Sequence, residues 1–144
     1  MHLIIDGYGK DASIMQNEDL IYEILDRCPP QIGMTKISPP NVFRYVGSKP
    51  EDWGVSGFVL IAESHMSIHT FVERCFVNID IFSCKEFDAE KVTRELQHKL
   101  HLTRLRSYVL KRGLEYPDHI EREAEIVSLK PAQALKPGGN SEHG

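Results

Sequence analysis

A chain of 144 residues with 41% hydrophobic and 26% charged residues has the length and composition of a single globular domain, with nothing left over for a second core. Its formal net charge of −4 at pH 7 lacks the basic footprint of a nucleic-acid binder, and no stretch approaches the ~20 apolar residues of a membrane helix. The late basic residues Lys99, Arg104, Arg106, Lys111 and Arg112 read as a solvated face rather than a phosphate track. Cys28, Cys75 and Cys84 are odd in number and show no CxxC spacing, which argues against a disulfide framework and a zinc knuckle and fits a reducing compartment. The opening Met1-His2-Leu3-Ile4-Ile5-Asp6 lacks a basic n-region and a long h-region, so a soluble, cytoplasmic protein is expected.

In chain order, His2 to Tyr8 is apolar and β-branched and ends at Gly7-Tyr8-Gly9, which predicts a first strand and a turn. From Asn17, a capping residue, Leu20, Ile21, Ile24, Leu25 and Cys28 recur at helical spacing until Pro29-Pro30 stop the helix. Met34 to Ile37 and Val42 to Val46 read as short strands divided by Ser38-Pro39-Pro40-Asn41. Gly47 to Gly54 has the composition of an exposed loop, and the five apolar residues Phe58 to Ala62 read as a buried strand. Phe76 to Phe82 alternates, with Val77, Ile79 and Ile81 on a dry face and Phe76, Asn78, Asp80 and Phe82 on the other. Asp88 caps a second helix with the apolar stripe Ala89, Val92, Leu96 and Leu100, ending near Leu102. Tyr108 to Leu110 suggest a last strand. Glu121 to Lys130 has weak helical character, and the Pro- and Gly-rich stretch to Gly144 reads as a frayed tail. The order β-α-β-β-β-β-α-β predicts an α+β two-layer sandwich, an antiparallel sheet with its helices packed on one face.

Chemistry concentrates in Ala62-Glu63-Ser64-His65-Met66-Ser67-Ile68-His69-Thr70. A serine hydroxyl becomes an acyl acceptor when a nearby base takes its proton, and His69 lies five residues beyond Ser64. In a strand those two side chains fall on opposite faces, so a bend or a partner on another strand is needed to join them; Ser56 is a further hydroxyl able to approach the same peptide. Two plainer readings stand beside this one. A Ser or His near a strand end is commonly a satisfied polar group. His65 and His69 are also four apart, as in zinc-binding helices, although Ile68, Thr70, Phe71 and Val72 favour strand and no third ligand cluster accompanies them.

Three motifs at matching spacing, Gly54-Val55-Ser56-Gly57, the Ala62 to Thr70 run, and Asp80-Ile81-Phe82-Ser83-Cys84, resemble the small prokaryotic S-adenosylmethionine decarboxylase proenzymes. The likeness covers roughly residues 1–117 and includes His2-Leu3, Asp6, Tyr8-Gly9, Ile32-Gly33-Met34, Arg112-Gly113-Leu114-Glu115 and Pro117. The chain departs from the family pattern where Val72 replaces a usual proline, Cys75 a usual glycine and Lys10 a common cysteine.

The resemblance implies a self-processing enzyme. Ser64 would attack the carbonyl of Glu63, converting the peptide to an ester. Elimination then leaves a dehydroalanine that hydrolyses to a pyruvoyl group, giving a β chain 1–63 and an α chain 64–144. It further implies that Ser56 and His69 assist processing, with His69 the base of the elimination, and that Cys84 returns the proton after decarboxylation. The pyruvoyl carbonyl would act as an electron sink for S-adenosyl-L-methionine, supplying the aminopropyl donor of polyamine synthesis. Glu73, Phe71 and Trp53 are the implied substrate-binding residues, no metal is expected, and a homodimer completing its sites from both protomers is implied. The altered region from Pro50 to Trp53 and around Val72 leaves arginine or ornithine open as substrates of the same chemistry. An uncleaved, non-catalytic partner or regulatory homologue is also open. Residues 118–144 are expected to be an extension outside the decarboxylase-like domain.

Overall fold

The computed structural model describes residues 1–112. The expected extension over residues 118–144 lies outside the described residues. Within them the order is β1 (His2–Gly9), α1 (Ala12–Met15), α2 (Glu18–Gln31), β2 (Thr35–Lys36), β3 (Asn41–Val46), β4 (Trp53–Ala62), β5 (Ser64–Phe71), a single 3₁₀ turn (Val72–Arg74), β6 (Phe76–Phe82), α3 (Ala89–Lys99) and β7 (Leu102–Leu110). The seven strands form one sheet in the order β2-β4-β5-β6-β1-β7, with β3 pairing the same edge of β4 as β2, and every pairing is antiparallel.

Period-two patterning decides which face is covered. Leu3 and Ile5 of β1, Val55, Val59 and Ile61 of β4, Met66 and Ile68 of β5, and Val77, Ile79 and Ile81 of β6 are all buried. They pack with Ile21, Ile24, Leu25 and Cys28 of α2 and Val92 and Leu96 of α3 into one core. This is the expected α+β sandwich with its helices on one face. Asn17 caps α2 by accepting from the backbone N–H of Leu20 (3.0 Å), and Asp88 caps α3 by accepting from that of Lys91 (3.0 Å), as the sequence indicated. No helix among the described residues is long and apolar enough to cross a membrane.

Several element boundaries differ from expectation. Residues Ser64–Phe71 form a full strand of their own, which makes seven strands rather than six. The last strand starts at Leu102, not Tyr108, because His101 turns the chain in the left-handed region (φ 50°) directly after α3. The Phe58 to Ala62 run is only half buried: Phe58 and Leu60 are more than 40% exposed, since the helices among the described residues cover β4 on one side alone. The helix α2 runs through Pro29 and Pro30 to Gln31, because prolines in a last turn remove donors there without breaking the turns before them. Gly33, at φ 79°, then closes it. The short α1, capped by Asp11, has no periodic signal in the sequence.

Two backbone positions are specially constrained. Cys75 adopts the left-handed conformation (φ 46°), a backbone setting that glycine meets most easily, at a position where the resemblance leads one to expect glycine. At Gly54, a Cβ would lie 1.8 Å from the carbonyl oxygen of Thr70. The buried Thr70 hydroxyl accepts from the Val55 N–H (2.8 Å) and donates to the Met15 carbonyl (2.7 Å), so it ties β4, β5 and α1 together at this close approach. Gly54→Ala is therefore expected to cost at least about 3 kcal/mol of stability, read by denaturant unfolding; an unchanged midpoint would contradict the contact.

Candidate active site

The tight turn Ala62-Glu63 joins β4 to β5, with Ile61 paired to Ser64, so the Glu63–Ser64 bond lies at a hairpin tip. Strand β6 lies beside β5 with Phe82 opposite His65, and the chain beyond Phe82 carries Cys84 to the same tip. The Cys84 Sγ stands 3.7 Å from the Ser64 Oγ and donates to the Glu63 carbonyl at 3.5 Å. Backbone bonds hold the corner, with the Ser83 N–H donating to the Met1 carbonyl (2.9 Å) and the Met1 amine donating to the carbonyls of Ser83 (2.6 Å) and Arg112 (2.8 Å). A nucleophilic hydroxyl, a thiol donor and the carbonyl between them are thus brought together. That set has the hydroxyl and the adjacent carbonyl that a self-processing serine requires.

A second pair lies at the other end of β5. Ser56 of β4 is directly opposite His69, and the Ser56 Oγ is 2.9 Å from the His69 Nδ1. Both belong to the face that no helix among the described residues covers, together with Phe58, Leu60, His65, Ser67 and Phe71. Five residues of extended strand separate Ser64 from His69, roughly 16 Å, so within one protomer the two do not meet. The zinc reading of His65 and His69 fails on the same geometry: β5 is a strand, and four residues of strand hold the imidazoles roughly 13 Å apart. His65 instead meets Phe82 edge-on, with ring centroids 5.8 Å apart.

Beside Ser56 and His69 opens a cavity of about 420 Å³, lined by Tyr45, Asp52, Trp53, Gly54, Thr70 and Phe71 as well as that pair. Of the residues singled out for substrate binding, Phe71 and Trp53 line it and Glu73 does not. Glu73 stands behind Trp53 and accepts from its indole N–H at 2.9 Å, while the Arg44 guanidinium stacks 4.6 Å from the indole centroid. Trp53 pairs with Val46 and shares the parity of buried Val55, so it packs against the edge of the core. The sequence did not single out Tyr45 or Asp52, which reach the cavity only because β3 folds back along β4 and the loop between them closes at Asp52.

An antiparallel α+β sheet with a serine and a cysteine at a hairpin tip and a Ser–His pair on its open face defines the class as a decarboxylase proenzyme once relatives are compared. Residues 1–113 match the S-adenosylmethionine decarboxylase family, and the chain belongs to it. An S-adenosylmethionine decarboxylase proenzyme of Archaeoglobus fulgidus is 34% identical over 113 residues, covering 78% of this chain and 96% of that protein. One from Aquifex aeolicus is 32% identical over 128 residues, covering 87% and 89%. The crystal structure of the adenosylmethionine decarboxylase from Aquifex aeolicus superposes with a TM-score of 0.65 at 29% identity, covering 78% of this chain and 89% of that one.

The three thiols differ in environment. Burial pushes the Cys28 thiol up to about 11, leaving it neutral and enclosed at pH 8, whereas Cys84 is partly open. Iodoacetamide at pH 8 is expected to modify Cys84 and spare Cys28 in the native protein, with Cys28 reacting only after denaturation. Peptide mapping reads both sites, and early labelling of Cys28 would contradict its burial.

Proposed function

We propose that this chain is a self-processing S-adenosylmethionine decarboxylase, cleaved between Glu63 and Ser64 into a β chain 1–63 and an α chain opening on a pyruvoyl group made from Ser64. The observation that carries this reading is the convergence of the Ser64 Oγ, the Cys84 Sγ and the Glu63 carbonyl at one hairpin tip. The Ser64 hydroxyl attacks the Glu63 carbonyl, and the Cys84 thiol, already donating to that oxygen, stabilises the charge that develops on it. The pyruvoyl group supplies an electron sink for loss of carbon dioxide. Cys84 then returns a proton to the substrate carbon, a role suited to a thiol whose unperturbed pKa is about 8.5.

Substrate recognition falls to the cavity beside Ser56 and His69. Tyr45, Trp53 and Phe71 give it three aromatic side chains, which favours a purine nucleoside over the aliphatic side chains of arginine or ornithine. The product serves polyamine synthesis as an aminopropyl donor. Three free thiols and the absence of a membrane-crossing helix among the described residues support a cytoplasmic setting.

The proposed active unit is a homodimer. Ser64 and Cys84 at one end of β5, and Ser56 and His69 at the other, are too far apart to act on one peptide within a protomer. The open face of the sheet exposes Phe43, Tyr45, Phe58, Leu60 and Phe71, an apolar surface suited to burial against a second copy. A two-fold pairing places the same surface on both protomers, and one that also laps over the hairpin tip would set His69 of one near Ser64 of the other.

Intact mass after denaturing electrophoresis is expected to show two fragments meeting at Glu63 and Ser64, with carbon dioxide released from S-adenosylmethionine and not from arginine or ornithine; Ser64→Ala should remain one chain. An uncleaved wild-type chain would exclude the enzyme reading in favour of an inert homologue. Co-expression of Ser64→Ala with His69→Ala tests the dimer. Each variant alone should fail to complete cleavage, while the mixture should cleave the His69→Ala chain, served by the other protomer's histidine. No cleavage in a mixture shown to be dimeric would refute sharing of the site.

A further inference from the structure

A row of three rings crosses the open face of the sheet one residue short of the hairpin tip. Phe82 of β6 pairs with His2 of β1 on one side and with His65 of β5 on the other. One step further along these strands stand Met1, Ser83 and Ser64, so the row is the last pairing before the corner that joins the Ser64 hydroxyl to the Cys84 thiol. The Phe82 ring centroid lies 5.8 Å from that of His2 and 5.8 Å from that of His65, and the Arg112 guanidinium stands 4.1 Å from it.

Neither histidine is placed to act on Ser64 itself. The His2 Nε2 is 2.8 Å from the Asp80 Oδ1, and because a carboxylate oxygen accepts, the ring donates there. Its Nδ1 is buried and has no partner among the described residues, so neither nitrogen of His2 is open to a reacting group. His65 directly follows Ser64, but alternation along β5 sets its ring on the open face with His69, whereas Ser64 shares the parity of the buried Met66 and Ile68. What both imidazoles touch is Phe82.

Beyond Phe82 the chain leaves the sheet, and Cys84 has no ladder partner of its own. The helix side of this turn is anchored by the buried Ser83, whose hydroxyl accepts from the Lys85 N–H (2.9 Å) and donates to the Met34 Sδ (3.2 Å). On the open side the anchor is the ring of Phe82.

We propose that Phe82, clamped by His2, His65 and Arg112, is a positioning residue for self-cleavage: it fixes the backbone that holds the Cys84 thiol against the Ser64 hydroxyl and the Glu63 carbonyl. His65 then contributes the edge of a ring and not an acid or a base. The assignment rests on the self-processing reading, and thiol labelling tests it apart from that reading.

Two measurements on the full-length chain make the test: the time course of cleavage after synthesis, and the rate at which iodoacetamide labels Cys84 in chains kept uncut by Ser64→Ala. Phe82→Leu is expected to slow cleavage about tenfold or more and, beside Ser64→Ala, to raise Cys84 labelling at least about threefold, while Cys28 stays unlabelled as the sign of an intact core. Phe82→Tyr keeps the ring and should bring both rates back to within about twofold of the unsubstituted values. His65→Ala should slow cleavage about threefold or more, and His65→Phe should recover most of that loss, since a ring without nitrogens suffices for the contact. Should Phe82→Leu expose Cys28 and so prove unfolded, the two variants at the exposed His65 decide. A folded Phe82→Leu chain with unchanged cleavage or unchanged Cys84 labelling overturns the clamp, as does a His65→Phe chain as slow as His65→Ala. Failure of the unsubstituted chain to cleave would instead strike the self-processing reading, and the Cys84 labelling rates would still decide whether Phe82 holds the thiol.

Discussion

The register between β4 and β5 is the constraint on which both the core and the chemistry depend. With Ser56 opposite His69 and Ile61 opposite Ser64, one ladder builds a hydrogen-bonded Ser–His pair at one end and a hairpin tip at the other. A slip of one residue would turn Met66 and Ile68 out to solvent and His65 and His69 into the core, so hydrophobic burial itself enforces the alignment. The Thr70 hydroxyl, bridging Val55 and Met15 beneath Gly54, pins the same register from the helix side.

That arrangement lets a single strand carry two duties by alternation. Met66, Ile68 and Thr70 anchor β5 to the helices, while His65, Ser67 and His69 stand on the face the helices leave open. The uncovered face is consequently where polar chemistry and exposed aromatic rings occur together. Tyr8, Phe76 and Phe71 run across it from β1 to β5 in a line of ring contacts of 4.6 and 5.5 Å, with Arg104 stacked on Tyr8 at 4.5 Å. Such a surface is costly to leave in water, and the second protomer proposed above would both cover it and unite the separated halves of the site.

The sequence was most legible where local chemistry and period agreed. The alternation in Phe76 to Phe82 identified the dry face of β6, and Asn17 and Asp88 marked two helix starts by a side chain that can reach a free N–H. Ser64, His69, Ser56 and Cys84 were identifiable as an ordered set of motifs, but their grouping was not: residue spacing could not show that Ser64 joins Cys84 and His69 joins Ser56, because strand order is a tertiary fact. Phe58 to Ala62 misled by composition, since a continuous apolar run fits a doubly buried strand as well as one whose outer face is covered in some other way. Tyr45 carried no signal, and Asp52 stood out only as part of the altered stretch from Pro50 to Trp53; only the return of β3 along β4 makes them neighbours of His69.

The position of Cys84 would let one thiol serve the two successive reactions proposed for it. A thiol is a weak hydrogen-bond donor, and at 3.5 Å it holds the Glu63 carbonyl loosely. That suffices to favour charge on the oxygen without fixing the thiol in place. On the proposed cleavage, the carbonyl departs with the end of the β chain, and the donor that faced it is left beside the new terminus at residue 64. A stronger donor, such as an ammonium group, would stabilise the first anion better but would stay bound to the new carboxylate. On the proposed mechanism, the chemistry of sulfur and its place one strand away from the Glu63–Ser64 bond would thus let the first step release the group that the second step needs.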